Sequence, residues 1–324
     1  MRVLVTGGAG YIGSVIAARL MARGHDVVAY DDLSRGHAAA LVDGVALIRG
    51  DIRDGRQVRE ALCAHACQAI IHMAALAEVG ESVAEPERYR EVNVGGTAAV
   101  IAAAEAAGVS RLVFSSTAAV YGAPARVPIE EDDPLAPTNP YGETKLAGER
   151  LLEQAHNAGH LAFTALRYFN ACGADGACGE DHDPESHLIP LALRAARDGV
   201  PLRLFGDDYP TADGTCVRDY VHVADLAEAH IAALEALPAV HGVFNLGTGH
   251  GDSVRRVGDA VEEVTGLGLE RSVVARRPGD PPVLVAGNRR AAASLAWRPR
   301  RTLRDAVADA WEWMRAHPGG YAND

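Results

Sequence analysis

Short apolar runs alternate with amphipathic stretches along the first half of the chain. Apolar runs bounded by polar residues and glycine are typical of buried strands. The predicted strands are Arg2–Thr6, Asp26–Tyr30, Val45–Arg49, Ala69–Met73, Arg111–Ser115 and Leu161–Tyr168. The stretches between them predict helices at Tyr11–Arg23, Val58–Ala66, Glu85–Ala107 and Tyr141–Ala158. Strands that alternate with helices predict an α/β fold built on a doubly wound parallel sheet.

The pattern becomes less regular after Asn170. Two Gly-, Asp- and Pro-rich segments, Cys172–Pro190 and Gly206–Gly214, resemble binding loops more than core. Regular elements return later, at Tyr220–Leu237 and Gly242–Asn245. A chain of 324 residues with 48% hydrophobic content can form one large domain or two moderate ones. We therefore predict a second, smaller domain that is interleaved with the first.

Composition and charge exclude several classes of protein. The net charge of −12 argues against sequence-independent binding to nucleic acid and against docking on anionic lipid. The five cysteines are an odd number and are typical of reduced thiols in a cytoplasm. Cys172 and Cys178 have no second pair at ligand spacing, so we expect no metal site. The chain enters a strand almost at once and has no apolar run of the ~18 residues that a membrane span needs, so we expect neither a signal peptide nor an anchor.

A glycine-rich turn joins the first predicted strand to the first predicted helix, with the sequence Thr6-Gly7-Gly8-Ala9-Gly10-Tyr11-Ile12-Gly13. Glycines allow a pyrophosphate to approach backbone N–H groups at the start of a helix. Asp31 ends the second strand, where an acid binds ribose hydroxyls and repels a 2′-phosphate. This pattern favours NAD over NADP, although Arg35 leaves NADP open. Asp51 and Ile52 follow the third strand, where they could hold an adenine or where Asp51 could cap a helix.

Lys145 is the only lysine in a chain that otherwise uses arginine for its basic residues. Tyr141 stands four residues earlier, so on a helix the two side chains face the same way, about 5–6 Å apart. A nearby positive charge favours the phenolate of a tyrosine, whose ordinary pKa is about 10. Ser115-Ser116-Thr117 follows the fifth predicted strand, at the edge where doubly wound sheets bind ligands. A hydroxyl there could hydrogen-bond a reacting oxygen, but a turn and an exposed Tyr/Lys pair are the alternatives.

Together these motifs resemble the extended short-chain dehydrogenase/reductase superfamily, and within it the family of UDP-glucose (UDP-galactose) 4-epimerases. The resemblance runs nearly end to end. The stretches that carry it, besides the glycine turn and Tyr-x-x-x-Lys, are Val79-Gly80-Glu81-Ser82, Asn139-Pro140-Tyr141-Gly142, Leu166-Arg167-Tyr168-Phe169-Asn170, Phe205–Thr211, Asp213-Gly214-Thr215, Val217–Val223 and Arg276-Arg277-Pro278-Gly279-Asp280.

The resemblance implies a mechanism. Tyr141, as phenolate, removes the proton of the sugar C4 hydroxyl while NAD⁺ takes the C4 hydride. Lys145 supplies charge to the phenolate and binds the nicotinamide ribose, and Thr117 hydrogen-bonds the C4 oxygen. The 4-keto sugar then turns and receives the hydride on its other face, so NAD is regenerated and NADH is not released.

The resemblance also implies binding residues. Those for the NAD cofactor are Gly7, Gly10, Tyr11, Ile12, Gly13, Asp31, Asp32, Leu33, Ser34, Asp51, Ile52, Met73, Ala74, Ala75, Ala77, Asn93, Ser115, Tyr141, Lys145, Tyr168 and Phe169. Those for the UDP-sugar are Thr117, Asn170, His187, Leu188, Leu204, Phe205, Arg218, Arg277, Asp280 and Leu284, of which Arg218 and Arg277 clamp the diphosphate. Residues 1–170, with later returns near 215–247, would form the NAD-binding Rossmann domain. Residues 171–324 would mainly form the nucleotide-sugar-binding domain.

Four positions depart from the family pattern. Many relatives have a lysine at Ala77 and an aromatic residue at Met73, which implies looser cofactor contacts after the fourth strand. His187 stands where asparagine is common, and Leu284 occupies the gate of the sugar pocket.

Several activities fit the same scaffold. A nucleotide-sugar 4,6-dehydratase places Asp-Glu after the threonine, whereas Ala118 and Ala119 follow Thr117 and cannot move protons. A simple dehydrogenase would release reduced cofactor, and an NAD-sensing module would need no intact Thr/Tyr/Lys set. UDP-glucuronate and UDP-N-acetylhexosamine 4-epimerases remain alternatives. By resemblance, helices Glu85–Ala107 and Tyr141–Ala158 pair across a two-fold axis in a homodimer, whereas the plain alternative is two sheet-covering helices.

Overall fold

A seven-stranded, all-parallel sheet is the centre of the molecule in the computed structural model, which describes residues 1–277 and 279–321. From one edge to the other its strands are Gly242–Leu246, Ala162–Tyr168, Arg111–Thr117, Ala69–His72, Arg2–Thr6, Asp26–Asp31 and Ala46–Arg49. The predicted doubly wound parallel α/β sheet is confirmed.

Alternation along the strands builds a core on each face of the sheet. Val3 and Val5 point into one core, and Leu4 points into the other. Helices Tyr11–Ala22 and Val223–Ala236 cover the first face. The other face is covered by helices Gly55–Ala64, Gly96–Ala106 and Pro140–Asn157.

The predicted element bounds need several corrections. The strand predicted to end at Ser115 continues to Thr117, because its pairing with the strand Ala162–Tyr168 extends to Tyr168. The predicted helix Glu85–Ala107 consists of Pro86–Tyr89, a π-helical segment Arg90–Gly95 and Gly96–Ala106. A further helix precedes it at Val79–Ala84. The piece predicted at Tyr220–Leu237 is a strand, Tyr220–His222, followed by the helix Val223–Ala236.

The later part of the chain forms three small sheets above the carboxyl edge of the central sheet. Their strand pairs are Asn170–Cys172 with Tyr220–His222, Leu202–Phe205 with Arg271–Val274, and Val217–Arg218 with both Asp252–Ser253 and Val283–Leu284. The remaining helices are Leu188–Asp198, Val254–Thr265, Arg289–Ser294 and Leu303–Ala316, and short 3₁₀ turns lie at Ala38–Ala40 and Ala118–Tyr121. Because Gly242–Leu246 returns to the central sheet, the smaller domain is interleaved with the larger one. Among the described residues, no helix has the length and apolarity needed to cross a membrane.

Candidate active site at the carboxyl edge of the sheet

The glycine turn is packed so tightly that side chains cannot replace its glycines. Gly7 has φ +67°, and a Cβ there would lie 2.6 Å from the amide nitrogen of Ala74. A Cβ at Gly13 would lie 2.0 Å from the carbonyl oxygen of Gly7. The helix Tyr11–Ala22 begins after Gly10, which has no side chain to cap it. Backbone N–H groups at such a helix start are suited to an anionic ligand.

Asp31 ties this turn to the loop after the second strand. Its carboxylate accepts hydrogen bonds from the backbone N–H groups of Ala9 at 3.0 Å and Leu33 at 2.9 Å. Burial raises the pKa of Asp31, and these two N–H groups oppose that rise. In the same loop, Asp32 accepts hydrogen bonds from the backbone and hydroxyl groups of Ser34. The predicted ribose-binding acid therefore lies beside the glycine turn.

Asp51 and Ile52 lie at the end of the third strand, as expected, but neither caps the following helix. Asp54 caps it by accepting a hydrogen bond from the backbone of Gln57. Asp51 is paired with Arg53, whose side chain lowers the Asp51 pKa. Ile52 is buried against the helix that begins at Gly96.

The loop after the fourth strand carries Met73, Ala74, Ala75 and Ala77, and Asn93 holds it in place. The Asn93 side chain bonds both backbone groups of Leu76, at 2.8 and 3.0 Å. It also donates to the hydroxyl of Thr144 at 3.0 Å. This asparagine therefore connects the loop to the helix that carries the tyrosine and the lysine.

The tyrosine and the lysine occupy the first turns of helix Pro140–Asn157. Asn139 caps this helix by accepting a hydrogen bond from Gly142 N at 2.9 Å, and Pro140 occupies a first-turn position that suits proline. Lys145 is 3% exposed and donates from Nζ to the Ser115 carbonyl at 2.9 Å. Thr117 is hydrogen-bonded to Tyr141. The three candidate catalytic residues are therefore brought together at the carboxyl edge of the sheet.

Burial shifts the pKa values of both Tyr141 and Lys145. It raises the pKa of Tyr141 well above its ordinary value, and the neighbouring Tyr168 raises it further, while the hydrogen bond with Thr117 opposes the rise. Burial also lowers the pKa of Lys145 to about 7, although Glu149 opposes that change. Lys145 therefore has a pKa close to working pH, which is unusual for a lysine. The hydroxyl of Tyr168 also contacts Ser115 Oγ.

Glu149 is a site-supporting residue that sequence reasoning missed. It lies four residues after Lys145 on the same helix face and is buried. Its carboxylate accepts from Arg167 at 2.6 and 2.8 Å and from Ser116 Oγ at 2.5 Å. The spacing Tyr141, Lys145, Glu149 was the available signal, because residues four apart share one face of a helix.

Several candidate substrate residues lie on the small sheets formed by the later part of the chain. The Arg277 guanidinium lies 4.0 Å from the centre of the Phe205 ring. Arg218 donates to Asp280 at 2.9 Å, so the predicted diphosphate clamp is held by an internal ion pair. Leu284 is opposite Arg218 in the strand register. Leu204 is buried in the core of the smaller domain beneath Phe205, and Pro278 lies outside the described residues.

Asp219 organises this region and was also missed. Its carboxylate accepts from the backbone N–H groups of Thr248, Gly249 and Ala286 at 2.8 to 3.1 Å. Its carbonyl accepts from Asn170 N at 2.9 Å. The sequence offered no signal for it, because its partners are distant along the chain.

Other predicted contact residues lie in an apolar cluster and at the start of a helix. Phe169 and Leu284 belong to one apolar cluster with Ala118. Leu188 begins the helix Leu188–Asp198, and His187 precedes it and pairs with Glu180.

Comparison with known proteins agrees with this geometry. The model of the NAD dependent epimerase/dehydratase family matches residues 3–247. The UDP-glucose 4-epimerase of Halalkalibacterium halodurans is 47% identical over 100% of this chain and 98% of its own length. That of Streptomyces lividans is 48% identical over 99% of this chain and 98% of its own.

Solved structures agree as well. The Brucella ovis UDP-glucose 4-epimerase in complex with NAD has a TM-score of 0.93 and 44% identity, covering 96% of this chain and 97% of that one. The Bifidobacterium longum UDP-glucose 4-epimerase in complex with NAD⁺ and UDP has a TM-score of 0.93 and 35% identity, covering 99% of this chain and 100% of that one.

Proposed function

We propose that this chain, which belongs to the NAD dependent epimerase/dehydratase family, catalyses inversion at C4 of a UDP-hexose with NAD as its cofactor. The observation that carries the proposal is the grouping of Tyr141, Lys145 and Thr117 at the carboxyl edge of the sheet, beside the glycine turn. Full-length relatives with this activity support it.

The glycine turn fits the cofactor. The space that a Cβ at Gly7 or Gly13 would occupy is closed by backbone atoms, so the turn has the close-approach geometry of a pyrophosphate site. In the proposal, N–H groups at the start of helix Tyr11–Ala22 hold the pyrophosphate, and the Asp31 loop holds the adenosine ribose. NAD, when bound, supplies the acceptor and donor of the C4 hydride.

The residues of the chain move the proton and hold the sugar. Tyr141 takes the proton of the C4 hydroxyl as general base and returns it as general acid. Thr117 orients the C4 oxygen through the hydroxyl that it also directs at Tyr141. Lys145 stabilises the phenolate with its positive charge, which requires it to be protonated when Tyr141 is ionised.

In the proposal, two arginine side chains bind the diphosphate of the substrate. Arg218 and Arg277 both lie in the later part of the chain, Arg218 opposite Leu284 in the strand register and Arg277 against the ring of Phe205. Guanidinium groups bind phosphate oxygens in a bidentate manner, and this explains how a chain of net charge −12 can hold a dianion.

Product analysis tests the proposal. The purified protein is incubated with UDP-galactose, UDP-glucuronate and the N-acetyl analogues, and the products are identified by mass spectrometry and NMR. We expect UDP-galactose to give UDP-glucose with no net change in nicotinamide absorbance. A dehydrated product, or accumulation of reduced cofactor, would exclude 4-epimerisation.

Leu284 is expected to set the size of the sugar that the pocket accepts. It packs in the cluster that contains Ala118 and Phe169, next to Thr117. Overfilling a packed pocket costs roughly 1–3 kcal/mol, which corresponds to about 5–150-fold in kcat/KM. We therefore expect UDP-galactose to be preferred over UDP-GlcNAc. Leu284→Tyr should abolish residual N-acetyl activity, and Leu284→Ser should raise it.

The measurement is kcat/KM for both sugars in the three proteins. Leu267→Tyr is the matched control, because Leu267 is an exposed leucine of the segment after helix Val254–Thr265. If the ratio of the two sugars is the same in all proteins, Leu284 does not face the sugar.

We also propose that the protein is a homodimer. Ala98, Ala102 and Ala106 form an exposed row of small side chains on helix Gly96–Ala106, which allows close approach of a second helix. Val79 and Val83 are also exposed, at 46% and 64%, on helix Val79–Ala84, which packs against helix Pro140–Asn157. In sedimentation equilibrium, the wild-type protein should have twice the mass of one chain. The Ala102→Arg variant should have the mass of one chain. A monomeric wild type would contradict the proposal.

A cytoplasmic location is proposed from the cysteines, all five of which are free thiols in the structure. Subcellular fractionation of the source cells checks it, and recovery of the protein outside the cytoplasmic fraction would exclude it.

A further inference from the structure

The segment before helix Leu188–Asp198 gathers two glutamates and two histidines. Glu180, His182, Glu185 and His187 each offer one ligand atom, and these four atoms all lie within 4.8 Å of one another. Imidazole nitrogen and carboxylate oxygen are both ligands of zinc in four-coordinate sites. We propose that these four side chains bind one zinc ion. The site goes beyond the proposed activity, which uses no metal.

The separations of the four groups are close to those of a tetrahedral site. With zinc–ligand bonds of about 2.1 Å, neighbouring ligand atoms stand about 3.4 Å apart. Glu180 Oε1 lies 3.3 Å from His182 Nδ1, and Glu185 Oε1 lies 3.5 Å from His187 Nδ1. His182 Nδ1 lies 4.0 Å from Glu185 Oε1. Of these four separations, that of 4.0 Å has to shorten, and that of 2.5 Å between Glu180 Oε1 and His187 Nδ1 has to widen by about 1 Å on the same geometry.

Crowded polar atoms point to a missing ligand. Glu180 Oε1, His182 Nδ1 and Glu185 Oε2 are buried, and none of them makes a hydrogen bond of good geometry with the described residues. Glu180 Oε1 instead lies at ion-pair distance from both His182 Nδ1 and His187 Nδ1, at 3.3 and 2.5 Å. The side chains of Glu180 and Glu185 are only 6% and 1% exposed. Buried polar atoms are normally hydrogen-bonded, and a shared cation would give all three atoms a well-oriented partner.

Glu185 is held in position by contacts outside the cluster. Its Oε1 accepts hydrogen bonds from the backbone N–H groups of Ser186 and His187, both at 2.8 Å. Contacts of this kind fix the orientation of metal-binding side chains. They occupy Oε1, so Oε2 is the oxygen that would bind the ion, and Arg194 Nη2 lies 3.9 Å from it. The separations given above for Oε1 therefore locate the carboxylate group rather than the bound atom.

The charges of the cluster also match a divalent cation. Two carboxylates neutralise one Zn²⁺, and the histidines ligate it as neutral imidazoles. The zinc complex of these four side chains would therefore carry no net charge, which suits the buried position of the Glu180 and Glu185 side chains.

Four protein ligands would fill a four-coordinate shell, so the ion would be structural. The site lies close to the first helix. The ring of His182 is 6.3 Å from that of Tyr11, whose hydroxyl donates to the Gly173 carbonyl at 2.6 Å. Zinc would fix the segment 180–187 against the first turn of helix Tyr11–Ala22. The expectation of no metal site rested on cysteine spacing and did not consider this Glu/His group.

The test uses tag-free protein that has been treated with EDTA and dialysed. Calorimetric titration with ZnCl₂ should show one equivalent binding with a dissociation constant in the micromolar range or below. Titration with CoCl₂ should give the visible absorption bands of four-coordinate cobalt. Addition of ZnCl₂ should raise Tm, and EDTA should reverse the rise.

Two variants locate the site. His182→Ala and His187→Asn should each weaken zinc binding by at least about 10–100-fold, as the loss of site contacts does in other proteins. The matched control is His160→Ala, because His160 is an exposed histidine that pairs with Glu105 at 3.3 Å. Circular dichroism of each metal-free variant verifies that it is folded.

Three results would overturn the proposal: no saturable zinc binding by the wild type, equal binding by both site variants and the wild type, or equal loss in the His160→Ala control. The four residues would then be an ion-pair cluster. The 4-epimerase assay is run separately on the EDTA-treated protein, so failure of the zinc site and failure of the proposed activity give different results.

Discussion

Replacing Tyr141 with phenylalanine is expected to lower kcat at least roughly 100-fold while NAD stays bound to the purified protein. The substitution removes one oxygen from a half-buried ring and keeps the ring itself in place. That oxygen is the group that Thr117 hydrogen-bonds, and it is the only proton-transfer group that the proposal assigns to the C4 hydroxyl. Turnover is measured with UDP-galactose, and bound NAD is measured after denaturation of the protein.

Tyr209→Phe is the matched control. Tyr209 is a buried tyrosine, and its hydroxyl lies beside Cys216, which the proposal does not use. This variant should keep normal turnover. Near-normal turnover of Tyr141→Phe itself would remove Tyr141 from the mechanism.

Replacing Lys145 with arginine should impair catalysis and NAD binding, although the substitution conserves the positive charge. Lys145 is buried, and its Nζ donates to the Ser115 carbonyl at 2.9 Å above the ring of Phe114. A planar guanidinium is too large for this position and cannot place a single ammonium beside the phenolate. We expect weaker NAD retention and at least a roughly tenfold slower reaction, a barrier increase of about 1.4 kcal/mol.

Arg150→Lys is the companion variant, since Arg150 is exposed on the same helix and the change again exchanges the two basic residues. It should leave rate and cofactor content unchanged. Cofactor content and single-turnover rate are measured in both. If Lys145→Arg keeps both at the wild-type level, the single lysine of the chain is an accident of composition.

A pH dependence follows from the same lysine. Burial lowers the pKa of Lys145 to about 7, and Glu149 opposes that change. Glu149→Gln removes the opposing charge, so the pKa of Lys145 should fall further and its positive charge should be lost at lower pH. The pH above which kcat declines should therefore shift downwards in Glu149→Gln. Unchanged pH profiles in the two proteins would show that Glu149 does not act through Lys145.

Regular periodicity made the central sheet predictable from sequence. Each of its strands is a short apolar run between glycines or polar residues, and the glycine turn fixed where the first strand ends. The helix with Tyr141 and Lys145 was predictable for the same reason, since Asn139 and Pro140 mark its start.

What sequence reasoning missed depends on contacts between distant parts of the chain. The end of the fifth strand at Thr117 is set by pairing with Tyr168, and Asp219 is defined by partners near residues 248 and 286. The helix Val79–Ala84 was missed because its exposed Val79 and Val83 break the expected apolar spacing. The Glu180–His187 group was missed because its two residue types alternate without a familiar metal-binding spacing.

The return of Gly242–Leu246 to the central sheet affects how the chain is made. A ribosome has to synthesise more than 240 residues before this edge strand can pair with Ala162–Tyr168. Until then, the unpaired edge of Ala162–Tyr168 is open to other strands, and such edges promote aggregation. A nascent chain of this protein therefore has a long interval in which this strand edge is unpaired. For the same reason, a fragment that ends at residue 170 would lack the edge strand Gly242–Leu246.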